Sequence, residues 1–388
     1  MTKDSMVISK TEAPCFPGQP IPWNTLVTAC PVAGVAVTVC PSKERTVEMR
    51  QEALASIPDE PRVRPPGWTP EWRDALLDGI SRLLAASQLP GGSVPALGVP
   101  RFVHGQSQGI CDLFGATIEK QPDGNYFVHP LVEAAETIQR IAARPVETST
   151  YWGAVEWIRY ARDASRNRFQ FRNPVMVGPF DLTNYLLGTT RLMEWVNTEP
   201  ATIHALQEKV TEVIIRMGFS LKEAAGGVLH ALHFGCLANA FDLCSECRSL
   251  VSADMFEEFD APYLRRIGEA LGPYGIHSCG SWERTIPCSL RDPNLKGMNG
   301  QVRENDLRKL CELAGGRVLL SIGPSINLHE RFTWPDRESF FRYVLDTVPR
   351  HQAVEISIDE SEIELLGRIY QDVRGEKVAE HGGRTLPP

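Results

Sequence analysis

His277 and Cys279 stand two residues apart in Tyr274-Gly-Ile-His-Ser-Cys-Gly280. On a strand, residues i and i+2 point the same way, so an imidazole and a thiol open together, and Gly280 lets the backbone turn sharply after them. A nitrogen and a sulfur side by side make half of a zinc site. H-x-C alone is a weak motif, and its bland alternative is a buried histidine beside an inert cysteine. A second cluster is Asp242-Leu-Cys244-Ser-Glu246-Cys247. Its C-x-x-C spacing could complete a tetrahedral site with the first pair, form a redox pair, or be two unrelated thiols in a loop.

Three further segments hold candidate side chains. In Ala353-Val-Glu-Ile-Ser-Ile-Asp359 the alternation puts Val354, Ile356 and Ile358 on one face and Glu355, Ser357 and Asp359 on the other. If the apolar face meets helices, the carboxylates look inward and need a cation, a proton or a substrate partner, because a lone buried charge is costly. The alternative is a polar face wetted at the rim. His230 and His233 fall on opposite faces of one expected strand, so one faces inward and the other packs under a helix. Phe180, in Gly178-Pro-Phe180, is placed to hold its ring over the mouth of the fold, although G-P-F is equally at home in a plain strand-to-helix turn.

What must position these groups is an alternation of strands and helices. Short apolar runs at Val175–Gly178, Gly227–Phe234, Gly275–Cys279, Leu295–Asn299, Val318–Ile322 and Val354–Ile358 read as strands. Amphipathic stretches at Leu192–Asn197, Ala201–Glu223, Ala253–Leu271, Glu304–Leu313, Asp336–Val348 and Ser361–Val373 read as helices. Parallel neighbours need helical crossovers, and six such units, with Val94–Phe102 as a further strand, predict a (β/α)₈ barrel of the TIM type over residues 66–380. A doubly wound sheet ranks second, and no G-x-G-x-x-G follows a strand. Working groups in such a barrel sit at the carboxyl ends of the strands. Residues 1–65 read as an irregular, partly helical extension and linker, with Cys15–Trp23 too proline-rich for a regular element, one short helix at Thr46–Ile57, and five prolines in Pro58–Pro70.

Composition narrows the class. The chain has 388 residues, 43% hydrophobic, enough for a sizeable core. Its 40 basic and 48 acidic residues give a net charge of −8, with no basic run interleaved with aromatics, which argues against nucleic acid. No uncharged stretch approaches the roughly 20 residues of a membrane span. Ten cysteines without a secretory signal imply thiols in a reducing cytoplasm.

Three segments, in order, resemble the uroporphyrinogen decarboxylase superfamily. They are Val177-Gly-Pro-Phe-Asp-Leu-Thr-Asn-Tyr-Leu-Leu-Gly188, Ser249-Leu-Val-Ser-Ala-Asp-Met-Phe-Glu-Glu-Phe-Asp-Ala-Pro-Tyr-Leu-Arg-Arg-Ile267 and Ile276-His-Ser-Cys-Gly280. The resemblance implies a (β/α)₈ barrel over roughly residues 90–375. The arginine-rich amino-terminal segment of the true decarboxylases is absent. The chain is closer to the branch that resembles methyltransferases moving a methyl group between a corrinoid and a thiol. These use zinc on His-x-Cys plus a later cysteine. His277 and Cys279 match the first two ligands, but no cysteine follows Cys311, so Glu355 or Asp359, or Cys244 or Cys247, must substitute, or the metal is absent. Glu246 falls where many of these barrels carry an acid.

The resulting expectation is a zinc-dependent methyltransferase. His277, Cys279, Cys244 and Cys247 are its metal candidates, Glu246 its catalytic group, and Phe180, His233 and Glu355 its substrate contacts. The substrate is a small molecule, the corrinoid rides on a partner protein, and a homodimer is compatible. The rivals are a metal-free decarboxylase or lyase acting on a carboxylated small molecule or tetrapyrrole, with Arg101 and His104 in its pocket, and a non-catalytic binding barrel.

Overall fold

The computed structural model describes residues 34–57, 64–89, 96–131, 134–324 and 334–374. Its strands are β1 (Gly34–Cys40), β2 (Ala96–Leu97), β3 (Thr117–Lys120), β4 (Tyr126–His129), β5 (Gln170–Phe171), β6 (Phe241–Cys244), β7 (Tyr274–His277), β8 (Leu295–Gln301), β9 (Leu319–Gly323) and β10 (Ala353–Asp359). Six form one parallel sheet in the order β1-β10-β9-β8-β7-β6. Single parallel bridges, Val177 to Cys244 and Arg172 to His230, carry the sheet on to the β5 segment, which pairs with β2. Helices separate the successive strands, among them Pro70–Ser87, Gly153–Ala164, Pro200–Ala224, Ala261–Leu271, Leu307–Ala314 and Arg337–Thr347, and Ile363–Arg374 closes the order. The architecture is that of a (β/α)₈ barrel, with the antiparallel β3–β4 hairpin inserted after β2. No ladder joins β1 to β2 among the described residues.

The first strand corrects the expected domain boundary. β1 lies inside the segment read as an extension, yet it pairs with β10 residue for residue from Gly34–Ala353 to Cys40–Asp359. A barrel divided at residue 65 would lose a wall. Two short helices follow, Lys43–Glu48 and Arg50–Ser56, where one was expected. The Cys15–Trp23 segment lies outside the described residues, as does much of the proline-rich linker.

Registers between strands stack the inward side chains in tiers. Cys244, His277, Asn299, Ser321 and Glu355 are partners across β6 to β10 and form one tier. Asp242, Gly275, Gly297 and Leu319 form the tier beneath it. The two glycines leave a gap there, and the chain fills it from an unexpected direction. The strand expected at Gly227–Phe234 makes only its His230 bridge. Residues 231–240 then turn into the barrel before β6 resumes the wall. Phe234, fully buried, lies so close to Gly275 and Gly297 that a methyl group on either would overlap its ring. An apolar Phe234 reads like a strand residue in sequence, but here it plugs the barrel.

The plug is tied at both ends. Glu355 accepts the backbone N–H groups of Gly235 (2.5 Å) and Cys236 (3.0 Å) and the hydroxyl of Thr38 (3.2 Å). Arg172 donates to the carbonyls of Ala231 (2.5 Å) and Phe234 (2.8 Å). Two buried charges are thus spent on satisfying loop backbone that water cannot reach.

Candidate metal centre at the barrel mouth

His277 ends β7, Cys279 follows two residues on, and Glu246 begins a 3₁₀ turn, Glu246–Ser249, that leaves the end of β6. All three are at the carboxyl ends of the strands. Nε2 of His277 lies 3.1 Å from Cys279 Sγ and 3.3 Å from Glu246 Oε1. The other oxygen of Glu246 accepts the Cys279 backbone N–H at 2.6 Å. Nitrogen, sulfur and oxygen lie within 4.8 Å of one another. His277 is largely covered, with 12% of its side chain exposed, whereas Glu246 keeps 38% and marks the side facing the mouth.

Electrostatics follow from this crowding. Burial works to lower the His277 pKa, but hydrogen bonds to Cys279 and Glu246 and their charges outweigh it and lift it to about 10. Burial works to raise Glu246, and the bond to His277 overcomes it, leaving the carboxyl below its usual range. The site is built to hold positive charge between an acid and a thiol, a need that a proton or a metal cation meets.

The orientation of His277 comes from behind. Its Nδ1 is bonded to Oδ1 of Asn299, whose amide in turn donates to the carbonyl (3.0 Å) and hydroxyl (2.9 Å) of Ser321. This leaves Nε2 facing the thiol and the acid. A ligating histidine is characteristically held in this way. The His233 ring stacks on His277 at 4.2 Å between centroids and 12° between planes, and its Nδ1 is 2.8 Å from the buried carboxylate of Asp242. Asp181 accepts the backbone N–H groups of Glu246 (2.6 Å) and Cys247 (2.8 Å) from the side. Burial pushes the Asp181 carboxyl up to about 7 against those two donors.

Six expected placements need correction. Cys244 lies in the same tier as His277, but its sulfur is not part of the cluster. It is sealed under the Val177 bridge, and burial, followed by the charges of Asp242 and Glu246, holds its thiol far above the usual range. Cys247 turns away toward Asp181, and burial pushes its thiol up as well. Phe180 does not hang over the mouth. Pro179 starts a helix at once, and the ring rotates into the core with 1% exposure. Glu355 faces inward as alternation suggested, but the plug occupies its oxygens. Asp359 is exposed and caps the turn after β10. His104 is buried against Tyr151, and burial lowers its pKa to about 4. The structure thus brings together Glu246, His233, His277 and Cys279. Asn299 and Asp181 were not anticipated. The sequence places Asn299 at the end of the strand expected at Leu295–Asn299, and that is the one signal that bears on it.

Residues 109–300, a span that holds every group of the cluster, match the family model for uroporphyrinogen decarboxylase (URO-D). Over that span, just under half of its length, the chain is similar to the uroporphyrinogen-decarboxylase-like superfamily. It is 34% identical over 106 residues to a uroporphyrinogen decarboxylase of Anaeromyxobacter dehalogenans (strain 2CP-C). That match covers 26% of this chain and only 27% of the relative, so the two share about a quarter of their lengths. A methyltransferase from Methanosarcina mazei superposes with a TM-score of 0.57 at 15% identity, covering 91% of this chain and 96% of the other, which establishes the shared fold. No described helix is long and apolar enough to cross a membrane.

Proposed function

We propose that this chain is a zinc-dependent methyltransferase that moves a methyl group between a corrinoid and a small thiol. The observation that carries the reading is the Glu246–His277–Cys279 cluster with His277 aimed by Asn299. One nitrogen, one sulfur and one carboxylate oxygen are the donor types zinc accepts, and two anionic donors match its double charge. The later cysteine of the thiol-methylating branch is absent, and Glu246 supplies the third donor in its place. When bound, zinc would lower the pKa of a substrate thiol and so favour the thiolate.

The chain's own residues do the rest. Asn299 fixes which nitrogen of His277 faces the site. Glu246 holds the Cys279 backbone with one oxygen and presents the other to the cluster. Phe234 and its loop close the barrel from below, so a substrate enters from the Glu246 side. His233, clamped by Asp242, walls the pocket with its ring. We place the corrinoid on a partner protein docked over the mouth, in a reducing cytoplasm.

The test is an anaerobic assay with methylcobalamin as donor and small thiols such as 2-mercaptoethanol as acceptors, followed by the cobalamin absorption spectrum. Demethylation that requires zinc and fails in Cys279→Ser supports the reading. A zinc-loaded protein with no transfer, or one equally active after chelation, overturns it. Decarboxylation of a tetrapyrrole that survives chelation would point to the lyase, the activity for which the curated relative is named.

A further inference from the structure

Glu246 sits on a single 3₁₀ turn beyond the end of β6, outside any strand ladder. A carboxylate on so short a turn has no rigid element of its own, yet a metal ligand misplaced by an ångström loses most of its value. The turn is pinned from several sides. Ser245 donates its hydroxyl to Asp260 (2.8 Å), Ser249 donates to the Glu246 carbonyl (2.7 Å), and the buried Arg248 donates to Thr285 and Ser289. Asp181 alone takes the Glu246 backbone N–H. It is 3% exposed and lies in the first turn of the helix Pro179–Leu187, where the helix dipole favours a carboxylate. One of its oxygens accepts from Glu246 and the other from Cys247, a two-point grip that fixes both the position and the twist of the turn.

We propose that Asp181 is a positioning residue that sets the metal affinity of the site through Glu246. Its two oxygens accept from Glu246 and Cys247 in the turn, so its influence reaches the cluster through that turn. The inference rests on the reading of Glu246 as a metal ligand and adds a determinant outside the ligand set. An aspartate here matches two N–H groups with two oxygens. Asparagine offers one acceptor and turns an N–H group toward the other donor.

The experiment is a double-mutant cycle on the full chain, using Asp181→Asn, Glu246→Gln and the pair, with zinc affinity measured by competition against a chromophoric chelator. Asp181→Asn weakens zinc binding about 10–100-fold, the usual effect of removing a support behind a ligand. In the Glu246→Gln background the same change costs less than about twofold, because nothing remains to be positioned. The cobalt-substituted Asp181→Asn protein keeps its sulfur-to-metal absorption, since Cys279 is untouched, while its visible ligand-field bands shift toward those of Glu246→Gln. Should Asp181→Asn fail to fold, Asp181→Glu, which keeps the charge and moves it by one methylene, serves in its place with the same expected pattern. Equal losses in both backgrounds would overturn the proposal, as would an Asp181→Asn protein with wild-type affinity when Glu246→Gln has lost it. Wild-type zinc affinity in Glu246→Gln itself would instead remove Glu246 from the ligand set, and the positioning role with it.

Discussion

The rings of His233 and His277 lie face to face, 4.2 Å apart and 12° from parallel, and each is held at Nδ1 by a different partner. Asp242 holds the first and Asn299 the second. Neither ring can turn without breaking a buried hydrogen bond, so Nε2 of His277 is committed to the Cys279 and Glu246 side before any ligand arrives. That preorganisation is the physical content of the candidate centre.

Asn299→Ala removes the acceptor behind His277 and frees its ring. Zinc affinity is expected to fall about 10–100-fold, while Asn299→Asp, which still accepts from Nδ1, recovers most of it. A competition titration of the three proteins checks this. Unchanged affinity in Asn299→Ala would mean that the ring is held by packing alone.

Zinc binding should be steeply pH-dependent. Against the effect of burial, the hydrogen bonds and charges of Cys279 and Glu246 keep His277 protonated up to about pH 10 in the metal-free site. A cation must therefore displace that proton. Affinity rises as pH climbs from 6 toward 10, and at pH 8 about one proton from His277 is released per zinc. Calorimetry in buffers of different ionisation enthalpy reads that proton. The raised pKa also stabilises the metal-free fold. That contribution is complete below about pH 6.5 and disappears as pH passes through 10, so metal-free wild type should lose its stability advantage over His277→Ala across that window.

The plug makes a prediction about stability alone. Gly275→Ala or Gly297→Ala drives a methyl group into the Phe234 ring and should cost about 1–3 kcal/mol by overpacking. Phe234→Leu should restore part of the loss when combined with either, a coupling that urea denaturation measures. Additive costs in the double variants would contradict the wedge.

The parts of this site differ in how legible they were. His277 and Cys279 could be paired from sequence because a two-residue spacing on a strand needs no long-range information. Glu246 could be named as a working acid, but its place against His277 depends on how a turn after β6 leans over β7. Asn299 and Asp181 act across registers and between a helix and a turn, relationships that no local pattern encodes. Cys244 and Cys247 have a ligand's spacing and not a ligand's surroundings. β1 falls inside the stretch that reads as an extension, and pairing with β10, more than three hundred residues away, is what makes it a strand. Phe234 was assigned to the wall for its apolarity, though the gap that receives it is made by two glycines on other strands.

Zinc content is the most direct measure of the central claim. Protein purified without chelator should carry about one zinc per chain. That value should drop to a small fraction in His277→Ala, Cys279→Ser and Glu246→Ala and persist in Cys244→Ser and Cys247→Ser. Negligible zinc in the wild type, or zinc that survives loss of His277 and Cys279 together, would contradict the metal centre and leave only the barrel.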